Sequence, residues 1–230
     1  MIRIHGFNRL TLLDYPGKVA GTLFLGHCNF RCPYCHNGNL VLHPELEPVI
    51  PMEEIMGTLK KRANILDGVC ISGGEPTLNP RLPELAARIH QMGFAVKLDT
   101  NGSNPEMVER LAADGLVNYV AMDIKNSPRR YEETAGVALD LTRIDDTVQF
   151  LKKGTVDYEF RTTVARELHS KEDILEIGRW LAGSRRYFLQ AYRESDQMIG
   201  SGFSGYSREQ LENFRLLLLD SIDEVGIRGV

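Results

Sequence analysis

The sequence predicts an α/β fold in which parallel strands alternate with helices. After residue 18, short apolar runs rich in β-branched residues recur, and each is followed by a polar loop and an amphipathic stretch at helical spacing. Strands that alternate with helices pair in parallel through right-handed crossovers. The chain has 230 residues, of which 43% are hydrophobic, enough for one large core. Six such units form either an open doubly wound sheet or a partial barrel.

The strand predictions come from runs that are short, apolar and β-branched. In chain order they are residues 19–25, 68–72, 94–98, 118–122, 158–164 and 187–191. No linker or change of composition interrupts the chain, so residues 1–230 are predicted to be a single domain. Residues 1–18 are expected to form an N-terminal extension that packs on the barrel.

The helix starts are predicted from capping residues. Asn79 and Asn104 each precede a proline, which favours an N-cap followed by proline at the first helical position. Ser170 precedes apolar residues at helical spacing. Ser207 opens a capping-box pattern whose apolar face is expected to run as one helix to Val225.

Composition and charge exclude several classes of protein. The net charge is −4, so no basic excess indicates a nucleic-acid partner or an anionic membrane surface. The longest apolar run, residues 216–219, is far too short to span a bilayer, and the charged N-terminus does not resemble a signal peptide. Four cysteines, three of them clustered, favour metal binding over a disulfide framework. We therefore expect a cytoplasmic protein without nucleic-acid or membrane partners.

The unusual polar clusters fall where the predicted strands end. In parallel α/β folds, chemistry gathers at the carboxyl ends of the strands. The clusters at those ends are residues 26–37, 72–77, 99–102 and 123–125, with Arg161 in the fifth strand and Gln190 near the end of the sixth. This common edge predicts a single active site.

The first cluster holds Cys28, Cys32 and Cys35. Thiolates suit zinc, copper(I) and iron–sulfur clusters. A closed zinc site would need a fourth ligand, which His27 or His36 could provide. A four-iron cluster held by three cysteines instead keeps one iron open for a substrate. The remaining cysteine, Cys70, lies in a predicted strand and is expected to be a packed, inert thiol.

The CxxxCxxC spacing, with Tyr34 before the last cysteine, resembles the signature of the radical S-adenosylmethionine (SAM) superfamily. The resemblance implies a partial (β/α)6 TIM-like barrel and one [4Fe–4S] cluster ligated by Cys28, Cys32 and Cys35. It also implies that SAM binds the open iron and is cleaved reductively to a 5′-deoxyadenosyl radical.

The same resemblance suggests roles for the other polar clusters. Residues 72–77 resemble the segment that receives the methionine amino group, with Gly73, Gly74 and Glu75 as SAM-binding candidates. Asp99 and Asp123 match positions near SAM that can help hold a monovalent cation. The further SAM-binding candidates are Tyr34, His36, Asn101, Lys125, Arg161 and Gln190. Arg161 could instead form a structural ion pair with a neighbouring carboxylate. Tyr192 is an alternative to Gln190.

Three segments, residues 11–37, 157–164 and 189–200, look most like the activating proteins of anaerobic ribonucleoside-triphosphate reductase. This implies that the protein generates a glycyl radical on that reductase, with a flavodoxin- or ferredoxin-type electron donor. Alternatives are an activase of pyruvate formate-lyase or another glycyl radical enzyme, and a small-molecule radical SAM enzyme such as a deazapurine synthase. A non-catalytic zinc-binding protein is the alternative of a different class.

Overall fold

The computed structural model describes residues 2–230, and Met1 lies outside it. Within this range, one eight-stranded sheet follows the chain in sequential order. Its strands are β1 (Ile4–Thr11), β2 (Ala20–Leu25), β3 (Gly68–Gly73), β4 (Ala95–Thr100), β5 (Tyr119–Asp123), β6 (Asp157–Val164), β7 (Arg186–Ala191) and β8 (Glu224–Arg228). β1 is antiparallel to β2, and every later neighbour pair is parallel. This order favours a barrel, because the strand order of a doubly wound sheet reverses at a switch point.

The helices lie in the connections between strands. They are α1 (Gly38–Leu42), α2 (Met52–Lys61), α3 (Leu82–Gln91), α4 (Pro105–Ala113), α5 (Tyr131–Ala135), α6 (Leu141–Lys152), α7 (Lys171–Trp180) and α8 (Arg208–Leu216). The apolar faces of the long helices pack on the sheet and form one large core with alternate strand residues. Among residues 2–230, no helix combines the length and apolar character needed to cross a membrane.

All six predicted strands are present, as β2 to β7. The two edge strands were not predicted. β1 mixes charged and polar with apolar residues and buries only its first and last residues, and β8 has only five residues. The N-terminal segment was expected only to pack on the barrel. Its residues Ile4–Thr11 instead pair with β2 and form the antiparallel edge strand of the sheet.

The predicted helix starts are confirmed at Asn104, Ser170 and Ser207, and the two serines form capping boxes. The prediction at Asn79 is wrong, because α3 begins at Leu82 and the Asn79 side chain instead accepts a hydrogen bond from the backbone N–H of Arg81. The continuous helix to Val225 is also wrong. α8 ends at Leu216, and Val225 reaches the core from β8, so the apolar pattern spans two elements.

An ion pair joins the end of β8 to β6, with a fully buried carboxylate and a partly exposed arginine. Glu159 in β6 is 0% exposed, and Arg228 in β8 donates to its two oxygens over 2.6 and 2.7 Å. The hydroxyl of Tyr119 donates a third bond over 2.9 Å. Removing one partner of a buried pair leaves the other charge uncompensated.

We expect Arg228→Leu to lower the free energy of unfolding by about 3 kcal/mol, since it leaves the buried Glu159 carboxylate without its ion-pair partner. Urea unfolding of the metal-free protein measures the change. Arg110→Leu is the matched control, because its pair with Asp114 is exposed and contributes at most about 0.5 kcal/mol. Equal losses in the two variants would contradict the role given to Arg228.

Candidate active site

A pocket opens at the carboxyl ends of the parallel strands, with a volume of about 870 Å³ that includes space open to solvent. Of the predicted site residues, every one except Gln190 lines it. They are Cys28, Cys32, Tyr34, Cys35, His36, Gly73, Gly74, Glu75, Asp99, Asn101, Asp123, Lys125 and Arg161. The sequence missed further lining residues: Phe30, Asn37, Val41, Ser72, Thr100 and Thr163.

The cysteine loop after β2 is joined to the loop after β3 by backbone contacts. The N–H of Gly74 donates to the carbonyl of Leu25, and the N–H of Glu75 donates to that of His27, both over 2.8 Å. A Cβ on Gly74 would lie 1.9 Å from the carbonyl oxygen of His27, and one on Gly73 would lie 2.2 Å from that of Leu25. Glycine is therefore required here by the approach of two loops, whatever ligand the pocket takes.

Glu75 connects the loop after β3 to the loop after β4. Its carboxylate is 2% exposed and accepts hydrogen bonds from the N–H and hydroxyl of Thr77. The hydroxyl of Thr100 donates over 2.8 Å and the N–H of Asn101 over 2.6 Å. Burial outweighs these bonds and raises the pKa of Glu75. Most of its acceptor capacity is used inside the protein, which the sequence alone did not reveal.

An ion-pair network forms the charged wall of the pocket. Arg161 bridges two carboxylates, with Nη2 3.2 Å from Asp99 Oδ2 and Nε bonded to Asp123 Oδ1. Lys125 Nζ lies 2.9 Å from Asp123 Oδ2, and Lys97 Nζ contacts Asp99 Oδ1. Arg161 therefore forms the ion pairs that the sequence left as an alternative to ligand binding.

The network keeps its members charged at neutral pH. Burial acts to raise the pKa of both carboxyl groups, but Arg161 together with the neighbouring lysine outweighs it and holds the pKa of Asp99 and of Asp123 below the usual range. Burial acts to lower the pKa of Lys97 and Lys125, but the carboxylates raise it above the usual range. The two carboxylates of Asp99 and Asp123 are thus paired with three cationic side chains.

The three clustered thiols line the pocket beside this network. Burial raises the pKa of Cys28 to about 12 and that of Cys32 to about 11, and it raises the pKa of Cys35 as well. Metal binding here must therefore release protons. No three His, Cys, Asp or Glu side chains between residues 2 and 230 converge on a single metal position. In an iron–sulfur cluster each thiolate binds its own iron, so the chemistry of this donor set fits a cluster.

The adjoining wall is aromatic. The Tyr34 ring is buried against Leu168 and Tyr192, and within the described residues its hydroxyl has no hydrogen-bond partner. His36 is exposed, and its Nε2 lies 2.8 Å from the carbonyl oxygen of Arg193, which ties the cysteine loop to the segment after β7.

Gln190 is not among the residues that line the pocket, and its Oε1 lies 3.4 Å from the hydroxyl oxygen of Thr163, which does line it. Its contact with SAM stays a prediction. Tyr192 does not line the pocket either, since its hydroxyl is turned to Met198 Sδ at 3.4 Å. The segment that follows β7 folds against the cysteine loop, where the N–H of Gly200 donates to the carbonyl oxygen of Pro33 over 2.7 Å.

Cys70 is fully buried, as predicted, but its neighbour is not apolar. Its Sγ lies 3.7 Å from Lys97 Nζ on the inner face of the sheet. Lys97 is the charged residue that sequence analysis missed. The available signal was its position two residues before Asp99, which gives both side chains the same face of β4.

The sequence matches the family model of the radical SAM superfamily over residues 22–181. A protein of Methanocaldococcus jannaschii with the provisional name glycyl-radical enzyme activating enzyme is 34% identical over 198 residues, which cover 84% of this chain and 81% of that relative. The pyruvate formate-lyase-activating enzyme of Staphylococcus aureus is 25% identical over 224 residues, which cover 93% of this chain and 79% of the relative.

The fold is similar to that of Streptococcus suis SuiB bound to S-adenosylmethionine. The two structures align with a TM-score of 0.70 over 88% of this chain and 48% of SuiB, at 17% sequence identity. At that identity the likeness establishes the fold alone, and it confirms the predicted partial TIM-like barrel.

Proposed function

The chain belongs to the radical SAM superfamily, and from that premise we propose that it activates a glycyl radical enzyme by reductive cleavage of SAM. The observation that carries the proposal is the pocket, where the cysteine loop and the three polar strand ends meet. The 34% identity to the M. jannaschii relative supports the assignment to activating enzymes.

In this proposal Cys28, Cys32 and Cys35 hold the [4Fe–4S] cluster that the family implies. Only these three cysteines line the pocket among residues 2–230, since Cys70 is enclosed below it. When bound, the cluster supplies one electron to the sulfonium of SAM. The protein contributes three thiols on one wall of the pocket, and the charged network lines the same pocket beside them.

The charged and polar residues of the pocket bind and orient SAM. Arg161 and Lys125 present cationic groups that fit the methionine carboxylate. The backbone around Gly73 and Gly74, with the remaining acceptor capacity of Glu75, would receive the amino group. The hydroxyl of Tyr34 is buried without a protein partner, so a polar ligand atom that meets it would relieve an unsatisfied group.

We infer that the partner is an anaerobic ribonucleotide reductase, with a flavodoxin- or ferredoxin-type protein as electron donor in the cytoplasm. The support is the resemblance of residues 11–37 and 189–200 to activating proteins of that reductase. A glycine in a mobile loop suits the pocket, because backbone without a side chain can come close to the reacting carbon. The sheet ends at β1 and β8, and the open side between these edges suits a polypeptide substrate.

Electron paramagnetic resonance tests the proposal. Reduced protein, SAM and the reductase are mixed without oxygen, with the reductase glycines deuterated at Cα. We expect a glycyl radical doublet on the reductase and deuterium in 5′-deoxyadenosine. Reductase in which the acceptor glycine is replaced by alanine is the control, and it should give neither signal.

A pyruvate formate-lyase activase is the second candidate, favoured by the match to the S. aureus enzyme over 93% of this chain. The same experiment with pyruvate formate-lyase separates the two. A doublet on that enzyme and none on the reductase would move the assignment. No radical on either protein, together with turnover of a small metabolite, would contradict the activase function.

A further inference from the structure

Lys97 is a buried ammonium that lies beneath the charged wall of the pocket. Its side chain is 1% exposed, and it is enclosed by Asp99 and Cys70. Arg161 and Lys125 line the pocket, whereas Lys97 does not. A fully buried lysine is rare unless it is paired, so this position gives the ammonium a definite electrostatic role.

Every carboxylate oxygen of Asp99 and Asp123 already has a cationic partner. On Asp99, Lys97 contacts Oδ1, while Arg161 lies 3.2 Å from Oδ2, which also accepts from the hydroxyl of Ser72 over 3.0 Å. On Asp123, Arg161 contacts Oδ1 and Lys125 lies 2.9 Å from Oδ2.

This arrangement does not fit the monovalent cation that the family resemblance allowed at Asp99 and Asp123. A sodium or potassium ion needs oxygen ligands that carry uncompensated negative charge. Here three side-chain cations already exceed the charge of two carboxylates, so another cation would add repulsion at close range.

We propose that the Lys97 ammonium takes the place of a monovalent cation, holding Asp99 in position so that SAM binding does not depend on sodium or potassium. Arg161 and Lys125 line the pocket and carry more N–H donors than their carboxylate contacts use, so they can contact an anionic ligand without releasing Asp99 and Asp123. Lys97 is covered and stays on Asp99. The inference rests on the proposed function, because it concerns the SAM site.

The first test uses the cluster-loaded parent protein. SAM affinity is measured by anaerobic calorimetry in potassium, sodium and choline chloride at equal ionic strength. We expect the three dissociation constants to agree within about twofold, because salt screens buried charges only weakly. An affinity about tenfold higher in potassium than in choline would overturn the proposal.

Two variants at one position sharpen the test. Lys97→Ala leaves space beside Asp99, and Lys97→Met fills that space without charge. In choline both should bind SAM about tenfold or more weakly, because a buried carboxylate has lost its partner. Potassium or sodium should restore binding in Lys97→Ala and not in Lys97→Met. Cys70→Ala keeps the ammonium and should stay insensitive to the cation.

Thermal unfolding of the cluster-free proteins without SAM gives a second measurement. Potassium should raise the melting temperature of Lys97→Ala but not that of the parent or of Lys97→Met. Equal responses in the two Lys97 variants would contradict the proposal. Failure of the parent to bind SAM in any salt would instead contradict the proposed function, so the two failures are distinguishable.

Discussion

Replacing Cys28, Cys32 or Cys35 with alanine is expected to abolish cluster binding and SAM cleavage while the protein stays folded. The three thiols lie in one loop at the pocket, where Cys32 belongs to the margin of the large core and Cys28 and Cys35 pack against it. Most of that core is formed by strands and helices. Anaerobic reconstitution followed by iron and sulfide analysis measures the effect. The parent should bind about four irons per chain, as a single four-iron cluster requires.

Cys70→Ala is the matched control for these variants. Cys70 is fully buried and is turned to the inner face of the sheet, beneath the pocket. We expect it to bind the full complement of iron and to lose about 1 kcal/mol of stability, as for other small buried side chains. Loss of iron in Cys70→Ala, or full iron in any of the other three, would contradict the assignment of ligands.

Much of the site was predictable because parallel strands bring their carboxyl ends to one edge. Asp99, Asp123 and the cysteine loop are far apart in sequence, yet each follows a short apolar run, and this common position predicted that they meet. The edge strands lacked that signal. β1 mixes polar with apolar residues and buries only its two ends, and β8 is too short for a clear pattern, so neither stands out from loop sequence.

Partners of buried charges were not predictable from local pattern. Lys97 lies in a strand that otherwise looks like core, and only the register with β3 brings it to Cys70. The four hydrogen bonds to Glu75 depend on how the next loop folds back over it. The contact of His36 with the carbonyl oxygen of Arg193 is a similar case, because no short-range rule specifies how the segment after β7 packs on the cysteine loop.

The close contact between the cysteine loop after β2 and the loop after β3 leads to a second prediction with a large expected effect. We expect Gly74→Ala to prevent stable cluster binding, although it adds only a methyl group. The new Cβ would lie 1.9 Å from the carbonyl oxygen of His27, in the loop that carries Cys28. Backbone has no flexible end to move, so the start of the cysteine loop around His27 must shift. A shift of that kind misplaces Cys28 relative to the thiols further along the loop.

Reconstitution of Gly74→Ala should give less than about a tenth of the parental iron, in line with the cost of loosening a metal site's supporting shell. Gly57→Ala is the matched control, because a Cβ at Gly57 meets nothing within 4 Å and the residue lies inside α2. That change should keep full iron and raise stability by about 0.5–1 kcal/mol through helix propensity. Parental iron in Gly74→Ala would mean that the loops can separate without cost, and the close contact would then be incidental to the site.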